Sequence, residues 1–398
     1  MATVLQDVTL PGGRVADVRI EGAVVAAVGD TVTKEPADEV IPLPGHLVLP
    51  AAVEPHAHLD KAFLAERVPN RTGDLLGAIE AMEASRDRID VPDMIERAER
   101  AAWLMARNGF VAIRTHADVT VDNGLRSVEA LVEVRRRVSH LVDIEIVALT
   151  GWPVVGEPGA DHRALLRDAL ALGADLVGGC PHLEDGSSEA ATDVLLSIAT
   201  EHGVGVDLHT DETLDVSADG LSQLARHVLA GFQHPATASH CVSLGQCDEQ
   251  RQRTVAELVA RAGIGVIALP HTNLYLQGRG RCPTPRALTA VPALVAAGVT
   301  VAAGADNLQD PFNPMGRACP FETGSLMVLA AHLLPADAWA AVSTNAAAIL
   351  RRPPAGIQPG MVADLLVVPA CDVREALAFA PPERLVWRRG VAIRETQS

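Results

Sequence analysis

Only two lysines, Lys34 and Lys61, occur in this chain of 398 residues, and aromatic side chains make up 3% of it. With 48% hydrophobic residues, the core has to be built from Ala, Val, Leu and Ile rather than from rings. Positive charge is scarce in general. The 33 Lys and Arg stand against 50 Asp and Glu, a formal charge of −17. A net anion is drawn neither to nucleic acid nor to an anionic membrane surface, so both are excluded as expected partners. No basic-then-apolar leader is present and no apolar stretch reaches transmembrane length. The six cysteines show no Cys-x-x-Cys and no framework spacing, which excludes a thiolate metal site and a disulfide scaffold. They read as reduced thiols, and a cytoplasmic location is expected.

What is present falls into three stretches. Residues 1–46 hold short alternating runs such as Val15–Ile20 and Val24–Val28, punctuated by Gly and Asp. That texture returns at Ala363–Val368 and Leu385–Gly390, after Pro353-Pro354 and Gly356. Both ends therefore predict one discontinuous β-sandwich domain, 1–46 plus 353–398, around a different middle, 47–352. There, apolar runs of strand length occur at 47–53, Val111–Thr115, Ile144–Thr150, Leu176–Cys180, Val204–Leu208, Ala236–Ser239, Ile264–Leu269 and Val299–Ala303. Amphipathic helical patterns separate most of them, among them Met94–Asn108, Leu125–Val138, Arg163–Leu172, Ala190–His202 and Gln250–Ala262. Near-continuous apolar strands alternating with helices indicate a parallel sheet covered on both faces. Eight such units predict an α/β fold of the (β/α)8 TIM-barrel type. A doubly wound open sheet fits less well, because no Gly-rich phosphate fingerprint follows the first strand.

In such barrels chemistry sits at the C-terminal strand ends. Those positions read His56 and His58, His116 and Asp118, His182 and Glu184, His209 and Glu212, His240, His271, and Asp306 with Asn307. Seven of the 14 histidines thus sit at strand ends. Two histidines at i and i+2 on a strand project to one face and can converge on a metal. Nitrogen and oxygen donors around an open position describe a catalytic site rather than a closed structural one.

The order His-x-His, His-x-x-Glu, Ser-His and Asp on strands 1, 5, 6 and 8 resembles the amidohydrolase superfamily, and within it the cytosine deaminase group. The matching segments are Glu54–Asp60, Gly173–Gly178, Asp207–Glu212, Ala238–His240, Leu276–Arg279 and Asp306 with Asp310–Gly316. The resemblance implies that His56, His58, His209 and Asp306 hold one divalent metal ion, zinc or iron, which activates a water. It also implies Glu212, His240 and Asp306 as catalytic residues, Glu212 carrying protons. Relatives with two metals bridge them by a strand-4 lysine, which Gly178–His182 lacks, so a single ion is expected. Where cytosine deaminases carry a pyrimidine-reading glutamine, this chain has Gly151 beside Trp152. Asn307 and Phe312 replace an acid and a tryptophan of that group. With Leu75, these form the expected substrate wall, and cytosine itself becomes doubtful.

The function expected is hydrolytic release of ammonia or an amine from an amino-substituted nitrogen heterocycle of pyrimidine, triazine or pterin type. His-x-His-Leu-Asp-Lys also resembles triazine enzymes acting on N-isopropylammelide. A ring-opening cyclic-amide hydrolase and an inactive small-molecule binder on the same scaffold are the alternatives. Relatives imply association into homo-oligomers. The sequence assigns no firm role to Glu54, Lys61, His116, His182, Glu184, His271, Tyr275 or Gln277.

Overall fold

The computed structural model describes residues 2–393, so the last residues of the expected terminal domain lie outside the described residues. The chain opens with β1 (Thr3–Thr9), β2 (Val15–Glu21), β3 (Val24–Gly29), β4 (Glu39–Pro42) and β5 (Leu47–Pro50). It continues with β6 (Ala52–Ala57), β7 (Phe110–Val119), β8 (Asp143–Thr150), β9 (Leu176–Gly179), β10 (Val206–Thr210), β11 (Ala236–His240), β12 (Gly265–Ala268) and β13 (Val301–Ala303). It ends with β14 (Leu365–Val368), β15 (Leu385–Arg388) and β16 (Val391–Ala392).

β6 to β13 form an 8-stranded parallel sheet in chain order. Helices such as Val91–Arg107, Arg126–Val138, Ala160–Leu172, Ser188–His202 and Glu249–Ala262 follow or precede the strands on the outside. All ten residues of β7 are buried, as a strand covered on both faces requires. The helix Val91–Arg107 lays Ala98, Ala101, Ala102 and Ala106 onto the sheet, small side chains that let the two layers approach closely. Asp90 starts this helix by accepting a hydrogen bond from the Asp93 amide.

The terminal segments form a separate mixed sheet, ordered β16-β15-β14-β5-β1-β2-β3 with β4 on β1. This corrects the first strand expectation. Residues 47–53 are not one barrel strand. Leu47–Pro50 pairs antiparallel with β14, whereas Ala52–Ala57 pairs with β7. The change of sheet falls at Ala51, whose amide bonds to Asp364 O while the Ala52 amide bonds to Gly109 O, both at 2.9 Å. The expected boundary at residue 46 therefore cuts ahead of a strand that belongs with the termini.

The barrel closes between β6 and the chain just past β13. His58 N bonds to Asp306 O at 3.2 Å and Asp306 N to His56 O at 3.0 Å. Inside this seam lies Glu54, whose two carboxyl oxygens each accept from the Ala305 amide at 3.1 Å. Oε1 also accepts from His56 N at 3.2 Å. Burial lifts this carboxyl to about 8. Gly304 permits the approach, because a Cβ there would lie 2.5 Å from Glu54 Oε1 and 3.1 Å from His56 O.

Among the described residues no helix is long and apolar enough to cross a membrane. The seam predicts that Gly304→Ala destabilises the protein by about 1–3 kcal/mol through overpacking, read as a lower midpoint in urea without a change of slope.

Candidate active site

The strand ends bring the predicted ligands to one point. His58 Nε2 and His209 Nε2 lie 3.3 Å apart. Asp306 Oδ1 is 3.2 Å from His58 Nε2 and 3.7 Å from His56 Nε2. These spacings fit a cation. Metal–nitrogen bonds near 2.0–2.1 Å in a tetrahedral shell put ligand atoms about 3.3 Å from each other. His56 Nε2 and Asp306 Oδ2 are also buried without any hydrogen-bond partner, an arrangement costly for polar atoms unless something else satisfies them. Burial pushes His56 and His209 well below the ordinary histidine range, and their histidine neighbours push the same way. Both are thus neutral and able to offer lone pairs, as metal ligation needs.

A buried chain beneath the cluster orients His56. Its Nδ1 donates to Ser239 Oγ at 2.9 Å, and Ser239 Oγ donates to Asp207 Oδ1 at 2.8 Å. Asp207 is held in turn by Arg114 at 2.8 Å. That relay fixes the tautomer with the Nε2 lone pair facing the cluster. His116 stacks on the other face of His56, ring centroids 3.9 Å apart. Two cluster residues, His240 and Asp306, adopt left-handed backbone angles, φ 69° and 64°, unusual for non-glycine residues and concentrated at functional sites.

Above the cluster, His240 Nδ1 accepts from Asn273 Nδ2 at 2.9 Å. Its neutral ring therefore carries hydrogen on Nε2, which lies 3.9 Å from Asp306 Oδ2. Glu212 Oε1 is 3.5 Å from His240 Nδ1 and accepts a 3.4 Å bond from Asn273 Nδ2. Burial, reinforced by the Asp306 carboxylate, lifts the Glu212 carboxyl well above its ordinary range. Burial brings His240 down to about 4. The arrangement offers a buried carboxyl disposed to hold a proton, an imidazole donor and a carboxylate around one open position.

These groups face a cavity of about 770 Å³, its solvent-open mouth included. Leu75, Gly151, Trp152, Asn307 and Phe312 all line it, together with His58, His209, Glu212, His240 and Asp306. His56 lies behind the others, fully buried. A side chain at Gly151 would meet His162 Nε2 at 2.8 Å and Thr120 Cγ2 at 3.0 Å. The space into which a glutamine would start is therefore taken by His162. Asn307 accepts from Thr272 Oγ1 at 3.1 Å and donates to Asp310 at 2.8 Å. A helix not anticipated from the sequence, Leu75–Glu83, puts Leu75, Ile79 and Met82 over the cavity.

The residues left open find places too. Lys61 Nζ is buried against Asp118 at 2.5 Å, Asp60 at 3.4 Å and His58 Nδ1 at 3.2 Å. Burial opposes its charge, but the two carboxylates outweigh that and raise its pKa. His182 Nδ1 donates to His209 O at 3.2 Å, bracing a cluster residue. Glu184 accepts from the amides of Val154 and Val155, a loop-holding role. His271 turns to Thr323 and Tyr275 lies under Arg279, so neither lines the cavity. Gln277 donates to the Glu212 carbonyl at 3.1 Å. Asn273 was missed by the sequence reading, although it stands two residues beyond His271 on the helix Pro270–Leu276.

A parallel barrel whose strand ends gather histidines, carboxylates and a buried glutamate around a cavity is the arrangement of a hydrolase acting on carbon–nitrogen bonds other than peptide bonds. The chain belongs to the amidohydrolase family, whose model matches residues 96–394. It is 36% identical over 359 residues to the pterin deaminase of Rhizobium rhizogenes, covering 87% of this chain and 80% of that protein. Among solved structures it is similar to 5-methylcytosine deaminase from Klebsiella pneumoniae liganded with 5-fluorocytosine. That match has a TM-score of 0.90, 28% identity, and coverage of 100% and 98% of the two chains. It is also similar to N-isopropylammelide isopropylaminohydrolase from Burkholderia multivorans. There the TM-score is 0.85, with 30% identity and coverage of 99% and 98%.

The ligand geometry predicts that Asp306→Ala and His209→Ala each lower the metal found per chain by elemental analysis well below that of the natural protein. His271→Ala, outside the cluster, leaves metal content as it was.

Proposed function

We propose that this protein is a hydrolytic deaminase of amino-substituted nitrogen heterocycles, with pterin-type two-ring compounds as the favoured substrates. The carrying observation is the set of groups around one open position: a fully buried Glu212 carboxyl 3.5 Å from His240, beside the unpartnered Asp306 Oδ2. The 36% identity to a pterin deaminase supports the substrate class.

His56, His58, His209 and Asp306 would hold one divalent ion, and three histidines with one aspartate suit zinc or iron. Bound there, such an ion makes water acidic enough to attack at neutral pH. The chain's own groups do the remainder. Asp306 Oδ2 accepts the proton of the attacking water. The Nε2–H of His240 points at the oxygen as it adds and stabilises the charge that develops on it. Glu212 delivers its proton to the ring nitrogen next to the aminated carbon. It then takes up the proton of the added hydroxyl as the carbonyl forms and passes it to the departing amine, and the proton held by Asp306 restores Glu212. Leu75, Ile79, Met82, Trp152 and Phe312 cover the ring faces and keep bulk water out. The six cysteines are free thiols, which suits a reducing cytoplasm.

Ammonia release is expected from pterin in the metal-loaded enzyme, read by a coupled ammonia assay; ring opening without ammonia would refute the proposal. Glu212→Gln is expected to lower kcat by about 10²–10⁴-fold with metal content intact. A variant retaining full turnover would remove Glu212 from the mechanism.

A further inference from the structure

The cavity carries a second polar feature, on a wall the deamination chemistry does not use. Starting at the metal cluster, Lys61 stands 3.2 Å from the outer edge of His58 and 2.5 Å from Asp118 Oδ1. Asp118 Oδ2 then accepts from Arg86 Nη2 at 2.7 Å, and Arg86 Nε donates to Asp122 Oδ2 at 3.2 Å. Asp122 also accepts from Thr120. This ladder runs outward: the Asp118 side chain is 11% exposed and that of Asp122 is 42%. Lys61, Arg86, Asp118, Thr120 and Asp122 all line the cavity. Much of the facing surface is apolar.

Within the ladder the donors are not equally committed. Lys61 is committed to Asp118 and Asp60 and stands beside His58 Nδ1. Arg86 has used Nε and Nη2, whereas Nη1 has no hydrogen-bond partner among the described residues. Nor is Nη1 among the side-chain nitrogens sealed from solvent. Arg86 sits in the turn Arg86–Arg88 that follows the roof helix, with its side chain 8% exposed. Nη1 is therefore reached from the cavity that Arg86 lines, and it is free to donate to an acceptor on a bound ligand.

We propose that Arg86 Nη1 hydrogen-bonds the end of the substrate remote from the scissile amine, and so selects two-ring aminoheterocycles over single rings. This rests on the deaminase reading above. An amine-bearing ring held at the cluster leaves its far edge directed along the ladder, and Arg86 is three contacts out from His58. The charge balance fixes the acceptor's nature. Lys61 and Arg86 are matched by Asp60, Asp118 and Asp122, with no positive charge left over. The acceptor is therefore a neutral ring nitrogen or carbonyl, and a carboxylate at that end gains nothing.

The experiment compares Arg86→Met and Arg86→Lys with the natural enzyme, all metal-loaded and checked for equal metal content. Pterin and isocytosine serve as substrates: both present the same 2-amino-4-oxo ring, and only pterin has the second ring. The ratio of kcat/KM for pterin over isocytosine is expected to fall at least tenfold in Arg86→Met, chiefly through KM, as loss of a charge-assisted hydrogen bond requires. Arg86→Lys should recover part of that ratio. Pterin-6-carboxylate should not be preferred over pterin by the natural enzyme. Equal losses on both substrates, a fall confined to kcat, or a strong preference for the carboxylate would each overturn the assignment. If the natural enzyme releases ammonia from neither compound, the deaminase reading has failed. Pterin fluorescence titration then decides the Arg86 contact by itself. Weaker binding in Arg86→Met upholds the contact, and equal binding removes it.

Discussion

The site depends on how the barrel is closed. His56 and His58 belong to the first barrel strand and Asp306 to the chain just past the last, so nothing local in sequence brings them together. They meet because two backbone bonds join residues 56–58 to Asp306 across the seam. Glu54 then ties the Ala305 and His56 amides to one carboxyl in a fully buried position. The bonds that close the fold involve the residues that form the cluster. Stability and function are therefore hard to separate here, and the left-handed angle at Asp306 is held by the same bonds.

Below the cluster the barrel interior is polar where a barrel core is ordinarily apolar. Arg114 bonds Asp207 and Glu145 at 2.8 and 2.6 Å, and Asp207 holds Ser239, which holds His56. Removing one partner from such a buried set costs about 3–5 kcal/mol, because the other charge is stranded. The relay trades an apolar filling for a fixed imidazole. On the upper side Lys61, clamped by Asp60 and Asp118, stands against the outer edge of His58 and limits how that ring can turn. His56 is thus braced through Ser239 by Asp207 of another strand, and His58 by Lys61, which the β7 residue Asp118 holds in place.

Much of this was legible in the sequence. The eight barrel strands appeared as apolar runs because a parallel strand buried on both faces needs no alternation. Five of the helices fell within a few residues of their expected limits. The residues of the cluster stood out because they occupy strand ends, where apolar runs stop. Three things were hidden for physical reasons. The switch of sheets at Ala51 lies inside an uninterrupted apolar run, so composition gives no break. The Ala305 amide that holds Glu54 and the Asp118 carboxylate that holds Lys61 lie far along the chain, and pattern reading finds near neighbours only. Asn273 and Arg86 are placed by side-chain hydrogen bonds to residues remote in sequence, which no spacing rule announces. His162 was likewise silent: it fills the space beside Gly151 from eleven residues downstream.

The exchange of sheets at Ala51 also sets an order of assembly. β5 needs β14 as its antiparallel partner, and His56 and His58 follow only a few residues later in the chain. On a ribosome that makes the N-terminus first, the earliest strands and two of the metal-facing histidines emerge long before Asp306. Neither the terminal sheet nor the ligand cluster can be completed until almost the entire polypeptide has been released. β1 to β4 can pair among themselves as they emerge, whereas β5, His56 and His58 must wait for partners from the last hundred residues. The cluster therefore does not exist as a site until Asp306 has been made.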